Sequence, residues 1–155
     1  MIRLAELLSE DSVRLEVPMA EKFAVIEEMV AGLMDEGIVE DAKQTLEDIR
    51  AREDAMSTGI GDGIAVPHAR SAGAGRLGLA IFRMESPIEF ESLDERPVSL
   101  MFLVVGPESD RGVTRVLARI GRMLYSGDLK RNLLRARSPQ EVLEQIRIEE
   151  ARILG

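Results

Sequence analysis

Apolar residues recur along the chain with two different periods, and the change of period marks the elements. Phe23, Ile26, Val30, Leu33 and Met34 fall at three- and four-residue steps, which predicts a helix over 20–36 stopped by Gly37. A second helix over 41–55 would bury Leu46 and Ile49. Before them, a short amphipathic piece at 4–8 precedes "VRLEV" at 13–17, whose alternation predicts an edge strand. "IAVPH" reads as a short strand ended by Pro67, and "IEF" at 88–90 as a short connecting strand. "LGLAIFRM" (77–84) and "VSLMFLVV" (98–105) are apolar on both alternating faces, as central strands covered on both sides would be. Val113, Val116, Leu117, Ile120, Met123 and Leu124 mark a third long helix, and a short one follows from Asp128. The last helix opens on "SPQE", with Ser138 as cap, Pro139 at the first helical position and Glu141 completing a capping box. Helices, then strands, then helices predict an α/β fold: a single-domain sandwich over 1–155, a mixed β-sheet flanked by helices on both faces, with strand order left open.

Composition narrows the chemistry. The 155 residues are 45% hydrophobic and 31% charged, as in a globular chain and unlike a disordered one. There is no cysteine, which excludes disulfides and thiolate metal sites. The longest apolar stretch is far too short to span a bilayer, and acidic residues interrupt the N-terminus before a signal-peptide core could form. A cytoplasmic protein without membrane insertion is therefore expected. Net charge is −8, but unevenly spread: residues 1–63 hold 16 acidic and 6 basic side chains, residues 111–137 hold 8 basic and 1 acidic. An acidic chain is not expected to bind nucleic acid non-specifically.

The chemistry-bearing segment is "STGIGDGIAVPHARS" (57–71), which contains the only histidine, His68. Gly59, Gly61 and Gly63 alternate, but the spacing is not the dinucleotide fingerprint, and no Gly-Lys-Ser/Thr of a P-loop follows. The segment suits a phosphorylated imidazole better. A neutral ring nitrogen is nucleophilic when the other nitrogen is oriented by a hydrogen bond, and phosphoryl transfer then needs donors around the phosphoryl oxygens. Ser57 and Thr58 could supply hydroxyls, Gly61 and Gly63 backbone N–H groups, and Arg52 or Arg70 a charged fork. The bland alternative is a hydrogen-bonded histidine beside a glycine turn. One histidine, no cysteine and no calcium-loop spacing leave no expected metal or cofactor. A serine-hydrolase reading of Ser57 lacks its nucleophile elbow.

"REDAMSTGIGDGIAVPHAR" (52–70) resembles the active-site segment of the phosphotransferase-system enzyme IIA domain of the fructose/mannitol class, which includes nitrogen-regulatory members. An acidic residue, a hydroxyl pair, Gly-Ile-Gly-x-Gly-Ile-Ala, an aliphatic residue and Pro-His followed by a small residue are all present from Glu53 to Ala69. The likeness extends over nearly the whole chain. It implies that His68 accepts a phosphoryl group from the histidine-containing phosphocarrier protein, that Arg52 is the active-site arginine, and that the fold is a compact α/β sandwich. Two roles follow from it. One is a carrier passing the group to a sugar-specific IIB component. The other is a regulatory module whose phosphorylation switches affinity for a target protein, including a form that no longer transfers the group. No IIB or membrane IIC segment is expected in the chain. Members commonly carry a second histidine at the start of the helix after the "VVGP" strand, where this chain has Val113 at or within a residue of that position.

Arg111, Arg115, Arg119 and Arg122 follow at helical steps, and Lys130, Arg131, Arg135 and Arg137 extend the positive region. The plain expectation is a solvated face opposite the Val116/Ile120 stripe; the sharper one is a docking surface for an acidic partner.

Overall fold

The computed structural model describes residues 2–155. The sheet runs β1 (Val13–Val17), β5 (Gly78–Ile88), β6 (Val98–Gly106), β3 (Ile64–Ala65), β2 (Gly59–Gly61), and β4 (His68–Arg70) also pairs with β6. β1 is parallel to β5, β5 antiparallel to β6, and β3 and β4 are parallel to β6, so the sheet is mixed with β1 at an edge.

Helices α2 (Lys22–Asp35) and α3 (Ala42–Ala55) cover one face. The other carries α1 (Leu4–Leu7), α4 (Gly112–Leu124), α5 (Asp128–Arg135) and α6 (Pro139–Leu154). The two apolar strands serve both layers by simple alternation. Ala80 and Phe82 of β5, with Met101 and Leu103 of β6, meet Ile26, Met29 and Leu33 of α2 and Ile49 of α3. Leu79 and Ile81, with Phe102 and Val104, meet Val116 and Ile120 of α4 and Ile146 of α6. Leu46 packs only partly against the first of these cores.

Capping sets the helix ends. Glu21 accepts from the N–H groups of Phe23 (3.0 Å) and Ala24 (2.8 Å), so α2 starts two residues later than the periodicity predicts. Gly37, at φ 76°, supplies the left-handed turn that stops it. Ser138 caps α6 by accepting from Glu141 N–H at 3.2 Å. The return bond of Glu141 goes to the N–H of Arg137 at 2.8 Å, one residue before the expected cap.

Three sequence expectations are corrected. The glycine stretch is a pair of strands rather than a turn alone: β2 and β3 are antiparallel, joined through Asp62 and Gly63. The strand expected to end at Pro67 is only interrupted there. Proline has no N–H for the ladder, so pairing with β6 lapses after Ala65 and resumes at His68, which begins β4. Ile88–Phe90 is not a separate strand. β5 continues to Ile88, opposite Val98, across an irregular register between Arg83 and Ile88 that accommodates Pro87.

Two buried charges were not anticipated as structural parts. Arg83, in the middle of β5, donates from Nη1 to the carbonyls of Leu133 (2.9 Å) and Ala136 (2.7 Å), closing the C-terminal end of α5. Its Nη2 donates to Glu16 Oε1 at 2.8 Å. Glu150 accepts from Leu4 N–H and from Arg119 Nη1, both at 2.8 Å, and so ties α1, α4 and α6 together. The arginine row on α4 is therefore not one free face. Arg119 is turned inward, and Arg122 donates to the carbonyl of Ile153 at 3.0 Å.

Candidate functional site

His68 stands at the start of β4, opposite Val104 of β6. The parallel pairing carries β6 onward into the loop that delivers α4, so the first turns of that helix come to lie beside the histidine. The C-terminal half of α3 forms the other wall. Together they enclose an open hollow of about 410 Å³ whose walls include Asp48, Arg52, His68, Arg70, Val113, Thr114 and Leu117.

The ring of His68 is half-buried, and its Nδ1 lies 2.8 Å from the carbonyl oxygen of Val66. A carbonyl only accepts, so Nδ1 carries the proton and donates, leaving the lone pair on Nε2. Burial lowers the His68 pKa below the ordinary histidine value, and the nearby positive charge of Arg52 lowers it further. The hydrogen bond to Val66 and the charge of Glu53 act the other way without overcoming burial. At neutral pH the ring is thus uncharged and held in one tautomer, with the Nε2 lone pair unprotonated.

The folded chain binds a proton on His68 less readily than the unfolded chain does. The stability from keeping His68 neutral is fully present above the ordinary histidine range and fades as pH falls through it toward the lower folded value. Because the chain has one histidine, its ring proton gives a single NMR titration curve. The expected midpoint lies below that of the acid-unfolded chain; an equal or higher one would remove the desolvation argument.

Of the residues singled out from sequence, His68, Arg52 and Arg70 share the hollow. Arg52 donates from Nη1 to the carbonyl of Met56 at 2.8 Å, which fixes the side chain at the end of α3. Arg70 lies two residues along β4, on the same side of the strand as His68, and makes no ion pair among the described residues. Ser57, Thr58, Gly61 and Gly63 lie outside these walls. Ser57 Oγ donates to the carbonyl of Phe90 at 2.7 Å and accepts from Gly59 N–H at 3.1 Å. Thr58 is buried, its hydroxyl donating to Glu53 Oε2 at 2.5 Å and its N–H to Oε1 at 3.0 Å. Gly61 and Gly63 have φ of 96° and 77° and shape the hairpin, with Gly61 facing Asp94.

Glu53 is the hidden support of this segment. Its side chain is almost wholly inaccessible and also pairs with Lys22 Nζ at 3.4 Å. It pins the chain between α3 and the hairpin that leads to His68. Glu53→Ala strands three donors and should cost about 3 kcal/mol, as breaking a buried charged network does. That corresponds to a midpoint lowered by roughly 6–12 °C in thermal unfolding, with Glu53→Gln recovering part of it.

Asp48 and Thr114 were not singled out from the sequence, and Leu117 was read only as part of the apolar stripe of the third helix. Asp48 is four residues before Arg52, so the helical period would place both on one face of α3. Thr114 could have been found as the neighbour of Val113. Val113 is buried and lines the hollow, as does the exposed Thr114. In that first turn of α4 the N–H of Gly112 is taken by Asp110 Oδ1 at 2.6 Å.

A Pro-His segment opening onto a cation-flanked hollow, carried by a mixed sheet between two helical layers, defines the class to which this chain belongs. It is a member of the phosphoenolpyruvate-dependent sugar phosphotransferase system EIIA 2 family, whose model matches residues 6–148. Such IIA domains are phosphotransferase components. Among particular relatives, a nitrogen regulatory protein of Pseudomonas aeruginosa is 35% identical, over 96% of this chain and 97% of that protein. The fructose-specific EIIABC component of Bacillus subtilis is 33% identical over 94% of this chain, which spans only 23% of that longer protein. The solved nitrogen regulatory protein IIA-Ntr of Neisseria meningitidis superposes with a TM-score of 0.84 at 29% identity, covering 92% of this chain and 97% of that one. The complex of enzyme IIAMTL with phosphorylated enzyme IIBMTL from Escherichia coli shares the fold, with a TM-score of 0.78 at 20% identity over 90% of this chain and 96% of that one. Among the described residues no helix is long and apolar enough to cross a membrane.

Proposed function

We propose that His68 accepts a phosphoryl group on Nε2 from the histidine-containing phosphocarrier protein, in a regulatory role of the nitrogen type. The single observation that carries this reading is the Nδ1 contact with Val66, which leaves the Nε2 lone pair free. In the step, that lone pair forms a new N–P bond as the N–P bond of the donor's phosphohistidine breaks, and the donor imidazole departs with the bonding pair. The proton stays on Nδ1 of His68, and the positive charge left on the ring is held by the Val66 carbonyl. Arg52 and Arg70 face the phosphoryl oxygens, and the Thr114 hydroxyl is within the same walls. The full-length match to a nitrogen regulatory protein favours regulation over service as one segment of a sugar transporter. Ser57, Thr58, Gly61 and Gly63 serve by shaping and anchoring the segment that presents His68.

A second reading has its own observation. Val113, which offers no side-chain donor, occupies the wall of the hollow near where relatives are expected to place a second histidine, and this suits a binding module that no longer transfers the group. Incubation with phosphoenolpyruvate, enzyme I and a phosphocarrier from the same organism, followed by intact-protein mass spectrometry, separates the two. One acid-labile phosphoryl group is expected. No adduct would overturn the carrier reading and leave the binding module, while rapid onward transfer to a IIB component would move the role from regulation to sugar uptake.

A further inference from the structure

We propose that Asp48 sets the phosphoryl-transfer potential of His68: its carboxylate raises the free energy of the phosphorylated form, so that the group is held weakly and returns readily to the phosphocarrier. This rests on the reading of His68 as the phosphoryl acceptor.

Asp48 lies one turn before Arg52 on α3 and lines the same hollow as His68 and Arg70. A receptacle for a phosphoryl group carrying nearly two negative charges is favoured by donors and cations. A carboxylate in its wall opposes the product electrostatically. Arg52 and Arg70 offset that opposition only from a distance, since neither forms an ion pair with Asp48. Asp48 makes no ion pair among the described residues; its two oxygens accept only from the amide of Gln44, at 3.2 Å each. The apolar Val113 stands in the facing wall. The basic side chains of the hollow are therefore Arg52 and Arg70, set against one acid.

The fold does not need this carboxylate. The contact with Gln44 is a four-residue helix pair, and Asp48 makes no hydrogen bond or ion pair to a buried charge among the described residues. Its charge bears on the site instead. For a partly exposed carboxylate lining the same hollow, removing one like charge from a phosphoryl group shifts the equilibrium by about threefold to tenfold, and salt diminishes the shift.

The test is the equilibrium constant for phosphoryl exchange between the phosphocarrier and this protein. It is read by quantifying both phosphorylated forms by native mass spectrometry at about 0.02 M and about 0.5 M salt. Asp48→Asn keeps the size and a Gln44 acceptor and should raise the constant by about threefold to tenfold at low salt, with a smaller rise at high salt. Asp48→Glu, which keeps the charge, should stay near wild type. An unchanged constant in Asp48→Asn, or a change indifferent to salt, overturns the role of Asp48 while His68 remains the acceptor. Absence of any phosphoryl group on the wild type would instead overturn the parent reading, and this inference with it.

Discussion

His68→Ala is expected to take up no phosphoryl group while remaining folded. No other imidazole exists in the chain to accept the group in its place. The structural cost is small because the ring sits at the floor of an open hollow and contributes one hydrogen bond, to the Val66 carbonyl. Losing that bond costs about 1 kcal/mol. Thermal unfolding should therefore show a midpoint within a few degrees of wild type, roughly 2–4 °C lower by the usual scaling. The mass spectrum after incubation with the phosphoryl donors should show only the unmodified chain. A phosphorylated His68→Ala protein would place the acceptor elsewhere, and the role of the Val66 contact would fall with it.

Arg52→Ala is expected to slow phosphoryl transfer to His68 by about a hundredfold to a thousandfold, the usual loss when one preorganised donor to transition-state charge is removed. The magnitude should lie at the upper end here because the hollow has few alternatives. Arg70 is the other cation in its walls, and Val113 donates nothing from its side chain. The guanidinium is already oriented by its bond to the Met56 carbonyl, so little rotamer freedom has to be lost when the phosphoryl group arrives. Arg52→Lys keeps the charge but loses the planar fork, and should recover only part of the rate. Rapid-quench kinetics with phosphorylated phosphocarrier as donor would measure this. A loss smaller than tenfold in Arg52→Ala, with a large loss in Arg70→Ala, would transfer the role to the strand arginine.

The two substitutions act differently on titration as well as on rate. His68→Ala removes the only imidazole. Arg52→Ala leaves it in place and removes a positive charge that helps keep its pKa low. In Arg52→Ala the His68 midpoint should therefore rise toward the ordinary histidine value, which distinguishes loss of a phosphoryl contact from loss of the local fold.

The sequence by itself determined the parts of this protein that depend on local spacing. Apolar period marked the helices, the unbroken apolar runs marked β5 and β6 as strands covered on both faces, and the Ser138/Pro139 start of α6 was readable from cap chemistry. The Pro67-His68 segment and Arg52 were readable too, because they lie in one continuous stretch with a recognisable order. What the tertiary structure decided depends on pairing between distant segments. Only the parallel register of β4 against β6 sets His68 beside the first turn of α4, and with it Val113 and Thr114. The hydroxyls of Ser57 and Thr58 looked free in the sequence because their partners, Phe90 and Glu53, are brought to them by the segment after β5 and the end of α3. Nothing in the sequence marked the partners of Arg83 and Glu150, yet both are held inside by backbone groups that the helix ends would otherwise leave unpaired, and Arg119 is drawn in by Glu150. A one-dimensional pattern records how a segment turns its own faces; it does not record which polar groups of a remote segment will need a partner once both are buried.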